Sequence, residues 1–507
     1  MAGTSVWSGG QLTRLTSDWV TVPLSADREI RYDIWRLRSR SRDVVRNNGF
    51  ATRFLAILAD NVLGHRGIML DVDFMAGAEP NETLNTAIES AWRGWGHAET
   101  CSADGKLSWL DTERLTLATL AQDGEVLIRF VRGASNPYGL SLQLIDCDLL
   151  DQNMNQVASD TANEIRMGVE RDIYGRPVAY HLWTFHPNDY DFAITRYGER
   201  KRIPADEILH LFLLRRPGQT RGVPWFAPVL FNTQMLRGYT EAEVVAARQA
   251  ASAMGFLIPG ADSDVVGNLN APNDQPLEIA AAPGEFPTLP RGYTVHDWNP
   301  EHPGKEFSVF VKAMLREIAS GLGVSYNLLA NDLESVNYSS MRAGALSDRD
   351  AWRALQYWLI EHLHRRVFAE FSKMARLTGA LPAATRNADE DAIHWAPRGW
   401  PWVDPLKDAE AQTLMMQNGM DSRTHALAED GREVEPVFKE LAAEKQLAAK
   451  YDIEIEAAVK TPRSPPPDTG EQGAPGGDGA EPGNGNGKNG KAREAVLAAL
   501  RGGRGAA

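Results

Sequence analysis

Apolar residues recur at helical spacing in two stretches of the chain, and a third stretch has a helical composition. Residues 303–322 lie between a proline and a glycine, which are typical helix boundaries. Residues 339–377 carry the longest pattern, and at about 1.5 Å per residue this helix would exceed roughly 50 Å. Residues 225–254 are rich in Ala, Leu, Gln, Glu and Arg, which favour helix. The periodic apolar positions are Phe307, Phe310, Val311, Met314, Ile318 and Leu322, then Trp352, Leu355, Leu359, Leu363, Val367 and Phe371.

Between residues 107 and 215, short apolar and β-branched runs predict a β-rich unit. The runs GEVLIRFVRG and LSLQLIDCDLL predict strands, and IPADEILHLFLL predicts a turn followed by a buried strand. NEIRMGVERDIYGRPVAYHLWTF predicts two strands joined by a turn at Asp172–Pro177. The sequence DGE at Asp123–Glu125 predicts a hairpin turn.

The other segments differ in character. Residues 28–64 predict an arginine-rich helical opening that ends at a glycine, and residues 256–302 predict a small irregular unit between two helices. Residues 380–458 hold a Trp-rich turn and short acidic helices. Residues 460–492 are Pro, Gly, Asp and Asn repeats, which predict a disordered linker, and a short basic helix follows.

Composition excludes several classes of protein. The 507 residues are 43% hydrophobic with no long apolar run, so we expect two or three soluble cores and no membrane span. Two cysteines exclude a disulfide framework and a multi-cysteine zinc site. The net charge of -14 would repel DNA, so either DNA is irrelevant to this chain or DNA must pass it without sticking.

No catalytic signature is present: there is no Walker A loop, G-x-S-x-G or H-E-x-x-H motif. Asp146, Asp148 and Asp151 could form a two-metal site, but a strand-end acidic patch is the commoner meaning of such a cluster. Cys147, beside a buried-looking strand, predicts a structural thiol. We therefore predict no catalytic residue, metal site or cofactor, with a nuclease or maturation protease as the enzymatic alternative.

The arginines of the opening helix spread around it rather than forming one stripe. They predict contacts to neighbouring subunits or to phosphates, with a solvated face carrying local ion pairs as the alternative reading. The candidates are Arg36, Arg38, Arg40, Arg42 and Arg46.

The order of segments resembles phage portal proteins of the lambda family over roughly residues 15–450. The stretches that carry the resemblance include LRSRSRDVVRNNGFATRFLAILADNVLGHRG, GVERDIYGRPVAYHLW, RRPGQTRGVPWFAPVL and GLGVSYNLLANDLESVNYSSMRAG. The resemblance implies an α+β portal fold with a β-rich wing, a helical stem, a small α/β clip and a helical crown. It assigns the chain as 1–224 N-terminal segment and wing, 225–255 first stem helix, 256–302 clip, 303–324 second stem helix, 325–338 tunnel loop, 339–379 long wing helix, 380–458 crown and 459–507 linker and tail.

The resemblance also implies a function. Such subunits form a ring, typically of twelve, at one capsid vertex of the virion, after assembly in the host cytoplasm. Double-stranded DNA is packaged and ejected through the ring without sequence-specific contacts. The implied partners are the terminase large subunit, major capsid and scaffold proteins and head-completion proteins. Another non-enzymatic phage head protein is the alternative.

The tunnel loop is the most specific functional expectation. It is polar yet lies between two strong helical patterns, so we expect it to face water, which in a ring would be the channel. The expected channel residues are Asn327, Asn331, Asp332, Glu334, Ser335, Asn337 and Ser339.

Overall fold

The computed structural model describes residues 14, 18–19, 21–76, 79–189, 198–252, 256–259, 293–296, 306–332, 334, 338–382, 385, 392–400, 405–429 and 434–451. The chain divides into two compact units between Val403 and Asp404. Within the described ranges, no helix has the length and apolar character needed to cross a membrane.

Of the first three helices in the described residues, those that begin at Ala26 and Gly49 are capped at their starts by side chains. Asn48 ends one helix and caps the next, accepting the backbone N–H of Phe50 at 3.0 Å. A π-helical turn, Ala59–Leu63, follows and ends at Gly64, the glycine that predicted the end of this helical segment. The first elements are α1 (Ala26–Arg31), α2 (Ile34–Asn47), α3 (Gly49–Leu58), β1 (Met69–Val72), β2 (Met75–Ala76), β3 (Glu79–Pro80), α4 (Glu82–Trp95), α5 (Ala98–Cys101) and α6 (Trp109–Asp123).

Two antiparallel sheets follow, and they contain the strands predicted between residues 124 and 212 with two differences: the first strand predicted in NEIRMGVERDIYGRPVAYHLWTF is divided into two, and the strand Arg200–Pro204 was not predicted. The order β10-β4-β5 makes a three-stranded sheet and β6-β7-β8-β9 a four-stranded sheet, where β4 is Glu125–Arg132, β5 Leu140–Ile145, β6 Glu164–Arg166, β7 Val169–Arg171, β8 Pro177–Trp183, β9 Arg200–Pro204 and β10 Ile208–Phe212. The turn at Asp172 joins β7 to β8, and its carboxylate accepts the backbone N–H of Tyr174 at 2.9 Å. A small apolar core that includes Leu127, Tyr180 and Ile208 lies between the sheets.

Among the described residues, helices make up most of the remainder of the first unit. The helix α7 (Leu230–Ser252) precedes the antiparallel pair β11 (Phe256–Pro259) and β12 (Tyr293–His296), and α8 (Phe307–Leu322) packs on α7. Next come α9 (Tyr326–Ala330), α10 (Tyr338–Leu359), a π-helical turn (Ile360–His364), α11 (Arg365–Leu377) and β13 (Ile393–Ala396). The predicted helices at 225–254, 303–322 and 339–377 are therefore present.

The main core is strongly aromatic. Trp92 and Trp95 lie 4.8 Å apart between ring centroids, and Phe371 of α11 lies 5.3 Å from Trp95. The π-helical turn buries His364, whose Nε2 contacts the Glu113 carboxylate of α6 at 2.5 Å. The long helix is thus attached to α4 and α6 by an aromatic cluster and one buried polar pair.

Two predictions are wrong. The stretch 109–123 was expected within a β-rich unit, but it is α6, which begins with a reciprocal cap between Ser108 and Asp111. Asp123–Glu125 is not a hairpin turn, because Gly124 ends α6 in the left-handed conformation (φ 89°) and Glu125 begins β4.

The assignment of residues 380–458 to the crown stays a prediction, and the described part of this segment includes a strand of the first unit. Strand β13 pairs antiparallel with β1, with Met69 opposite Ala396. The second unit starts at Asp404, and its described helices are α12 (Pro405–Gln417), α13 (Arg423–Glu429) and α14 (Val434–Lys450), of which α13 packs on α14. Residues 452–507, which include the predicted linker and tail, lie outside the described ranges, as do residues 260–292 of the predicted clip.

Candidate functional site

A buried carboxylate, that of Glu125 at the start of β4, is the centre of a charged network. Arg221 donates from Nε to Oε1 at 2.8 Å, and the backbone N–H of Gly222 donates to Oε2 at 2.7 Å. Arg38 also donates to Oε1, and His210 Nε2 lies 3.0 Å from Oε2. Burial alone would raise the pKa of Glu125, but the charges of Arg221 and Arg38 and the His210 hydrogen bond hold it well below its ordinary value. Glu125 is therefore an anion that joins α2, two strands and the segment before α7.

The prediction that Arg38 contacts a neighbouring subunit or a phosphate is wrong. Its side chain points inward from α2, and the residue is 1% exposed. Besides Glu125, its guanidinium donates to the Asp123 carbonyl at 3.3 Å and to Asp148 Oδ1 at 3.2 Å. Arg38 is thus a structural residue of the subunit.

Arg42, one turn further along α2, explains the acidic cluster. It donates from Nε and Nη2 to the two oxygens of Asp123, both at 2.8 Å, and lies 2.5 Å from Asp148 and 3.0 Å from Asp146. Burial opposes ionisation of Asp148, but Arg38 and Arg42 outweigh it and lower the pKa of its carboxyl. The structure brings Asp146 and Asp148 together, while Asp151 pairs separately with Arg200 at 2.7 Å.

A cation in this cluster would compete with Arg42 for the carboxylates. Ligand atoms of Asp146, Asp148 and His186 lie within 4.8 Å of one another, which is close enough to share an ion. Two of these three residues, however, already bind the Arg42 guanidinium. Cys147 lies beside them, buried, and burial raises the pKa of its thiol well above the ordinary value, as expected of a structural cysteine.

The remaining arginines of α2 face outward. The side chain of Arg36 is 54% exposed, pairs with Asp33 at 3.4 Å and lies over the Trp35 ring at 4.9 Å. Arg46 is also exposed and lies 4.0 Å from Asp43, and Arg40 is exposed. For Arg36, Arg40 and Arg46, contact with a subunit or phosphate stays a prediction.

The predicted tunnel loop is more ordered at its start than a free loop. After α8, Gly323 turns the chain in the left-handed conformation (φ 71°), and the short helix α9, which contains Asn327, follows. Asn331 ends α9 with φ 52°. Ser335 and Asn337 lie outside the described residues, and Ser339 is in the first turn of α10.

Asp332 and Glu334 have unlike surroundings. The Asp332 carboxylate accepts the Tyr326 hydroxyl at 2.7 Å and lies 3.0 Å from Lys312 Nζ on α8. The Tyr326 and Lys312 hydrogen bonds lower the pKa of Asp332. Glu334 is 88% exposed and lies 3.8 Å from the same ammonium group. Sequence reasoning gave both carboxylates one role, although only Glu334 is open to solvent.

Comparison with known proteins places the chain in a family. The family model "Phage portal protein, lambda family" matches residues 12–356. The chain is similar to the probable portal protein of Halomonas phage phiHAP-1, with 35% identity covering 85% of this chain and 84% of that protein. It is also similar to portal protein B of Escherichia phage lambda, with 24% identity covering 86% of this chain and 87% of that protein.

Among solved structures, the chain is similar to one from the neck of a native GTA particle computed with C12 symmetry. That similarity has a TM-score of 0.46 and 15% identity, covering 79% of this chain and 93% of that chain. The family model spans more than half of the sequence, and the phiHAP-1 protein matches most of its length. The chain therefore belongs to the lambda family of phage portal proteins.

Proposed function

We propose that this chain is the portal-vertex subunit of a phage capsid, and that about twelve copies form a closed ring through which double-stranded DNA enters and leaves. Membership of the portal family carries this proposal. The ring would bind the terminase large subunit during packaging and head-completion proteins afterwards. It would contact the major capsid and scaffold proteins as it assembles in the host cytoplasm.

The helical pair α7–α8 supports an assembly role. The two helices are joined by Tyr239, which stacks on Phe307 at 5.6 Å between ring centroids. Their outer sides nevertheless leave large apolar residues in solvent: Phe231 is 73% exposed and Val309 64%. On α7, Phe231 and Met235, which is 49% exposed, lie four residues apart on the same side of the helix. Large apolar side chains exposed on one side of a helix are typical of a surface that another protein covers. In a ring, that protein is the neighbouring copy.

Electron microscopy of the purified chain tests this proposal. We expect closed rings with a central hole wide enough for duplex DNA. Phe231→Glu should prevent ring closure, while Leu377→Glu, at an equally exposed position (74%) on the end of α11, should leave rings intact. A wild-type chain that stays monomeric at micromolar concentration in all salts would refute the assembly.

We further propose that the segment 325–338 lines the channel, supported by its position between α8 and α10 and by the exposure of Glu334. A negative wall repels phosphates and lets DNA slide. Glu334→Lys should slow packaging by intact rings at low salt and recover as salt rises. Asp160→Lys, which makes the same change at an exposed site in the β-rich region, is the control.

The outward arginines of α2 are proposed to contact a neighbouring subunit or phosphates. Replacing Arg36 and Arg40 with Glu in the same chain should weaken ring formation or DNA retention. No effect on either would leave them as solvated surface residues.

We also propose that the subunit has no catalytic activity of its own. The occupation of the Asp146–Asp148 cluster by Arg42 supports this proposal. The purified chain should hydrolyse neither ATP nor DNA with added Mg²⁺ or Mn²⁺. Metal-dependent DNA cleavage that is lost in Asp148→Ala would favour the nuclease instead.

A further inference from the structure

The first part of the predicted tunnel loop, residues 325–332, is hydrogen-bonded to the rest of the subunit at both of its ends. At the first end, the Asp348 carboxylate of α10, itself 7% exposed, accepts the backbone N–H of Ser325 at 3.1 Å. At the second end, Asp332 binds Tyr326 of α9 and Lys312 of α8. The contacts at both ends of α9 therefore hold the residues that follow it in a defined position against α8 and α10.

The Asp332 side chain is only 19% exposed, and both of its carboxylate oxygens accept hydrogen bonds within the subunit. One oxygen, Oδ2, accepts from both the Tyr326 hydroxyl and the Lys312 ammonium, at 2.7 and 3.0 Å. The other, Oδ1, accepts the backbone N–H of Glu334 at 3.1 Å. The left-handed Asn331 just before it turns the carboxylate back toward α8. Both oxygens are therefore committed inside the subunit.

The contacts also determine where Lys312 points. Its ammonium group, with the side chain one-third exposed, lies between Asp332 and Glu334 and is neutralised by them. Arg316, one turn further along α8, lies over the Tyr326 ring at 5.4 Å. Two cations of α8 are thus turned toward α9 and the residues after it.

We propose that Asp332 is a positioning residue: through Lys312 and Tyr326 it holds the chain after α9 against α8, and so fixes the position of the part of the channel segment that follows α9. The proposal rests on the channel role proposed above for residues 325–338. The proposal gives the two acids different roles, because Asp332 acts through its contacts with α8, whereas Glu334 faces solvent.

Three matched variants separate positioning from charge. Asp332→Asn and Glu334→Gln each remove one negative charge, two residues apart, so a pure charge effect on DNA would be equal in both. Lys312→Met breaks the same tie as Asp332→Asn but changes the net charge in the opposite direction. Positioning therefore predicts the same sign of effect for Asp332→Asn and Lys312→Met, whereas channel charge predicts opposite signs.

Hydrogen–deuterium exchange of peptides spanning residues 323–334, measured on the full chain, tests directly whether the contacts of Asp332 with Lys312 and Tyr326 hold this segment in place. We expect Asp332→Asn and Lys312→Met to speed exchange about 3- to 10-fold and Glu334→Gln to leave it unchanged. Tyr326→Phe, which removes one hydrogen bond without changing charge, should give a smaller increase, and it tests the tie if the charge variants fold poorly. Unchanged exchange in Tyr326→Phe and Asp332→Asn would overturn the proposal.

DNA packaging by intact rings supplies the second readout. We expect Asp332→Asn and Lys312→Met both to slow packaging. Opposite effects of the two, or equal effects of Asp332→Asn and Glu334→Gln, would show that charge alone acts and would overturn the proposal. Wild-type rings that conduct no DNA would refute the channel role, while the exchange data would still decide whether the tie exists.

Discussion

Glu125→Gln is the most informative test of the fold, because it removes one charge without changing side-chain size. Glu125 is wholly buried, and the two arginines that bind it are at most 1% exposed as residues. The substitution leaves Arg221 buried without its carboxylate partner, and it leaves Arg38 with Asp148 as its remaining carboxylate partner. Breaking a buried pair from one side costs about 3–5 kcal/mol, because the remaining charge stays desolvated.

The expected effect can be measured by thermal unfolding, followed by the fluorescence of the buried tryptophans. In a unit this large, each kcal/mol lowers the midpoint by roughly 2 °C, so Glu125→Gln should lower it by about 6–10 °C. Glu207→Gln is the matched control: Glu207 pairs with Arg129 at 2.7 Å, but its side chain is 30% exposed. Such a pair contributes about 1 kcal/mol or less.

A Glu125→Gln midpoint equal to that of Glu207→Gln would refute the reasoning. The buried arginines would then have other means of compensating their charge, such as water entering the network. Arg221→Met gives a second view of the same centre, because it removes the cation and leaves the anion with Arg38 and His210. It should also destabilise the first unit.

Three further predictions concern the same unit. Gly124→Ala should prevent soluble folding, because the added Cβ would lie 2.2 Å from the Val223 backbone. Gly133→Ala has a similar positive φ but open space around it, so it should cost only about 1–2 kcal/mol in a denaturation measurement. The thiols of Cys101 and Cys147 are buried, and burial raises the pKa of Cys101 to about 12. Ellman's reagent should therefore react with neither thiol until the chain is unfolded, and fast reaction in the native chain would contradict their burial. Burial lowers the pKa of His210 in the folded chain below its ordinary 6.5. The stability that goes with neutral His210 is therefore present above that pH and is lost as the pH falls. His210→Asn should accordingly flatten the decline of the thermal midpoint between pH 7 and 5.

The sequence predicts elements well where burial follows a helical or strand period. Helix α8 has one apolar side and a glycine at its end, and both features were visible in the residues. Helix α6 was missed because polar residues on it are buried too: Thr112, Glu113 and Thr116 are each at most 1% exposed. Their burial removes the contrast between two faces on which such a prediction depends. The cap formed by Ser108 and Asp111 was the local signal that could have revealed α6.

The charged residues show why a site is harder to predict than an element. Taken separately, the arginines of α2 suggest a phosphate contact, and the aspartates after β5 suggest a metal site. They are two halves of one network, in which Arg38 and Arg42 meet Asp148 across more than 100 residues of sequence. Helical periodicity identifies which arginines share a side of α2, but not which side is covered, because the covering strands lie far away in the chain. Where two predicted elements carry opposite charges, an ion pair between them should therefore be considered before an external ligand. Here Arg36, Arg40 and Arg46 are the arginines of α2 for which the described residues contain no such pair across the fold, and they remain candidates for contact with an external partner.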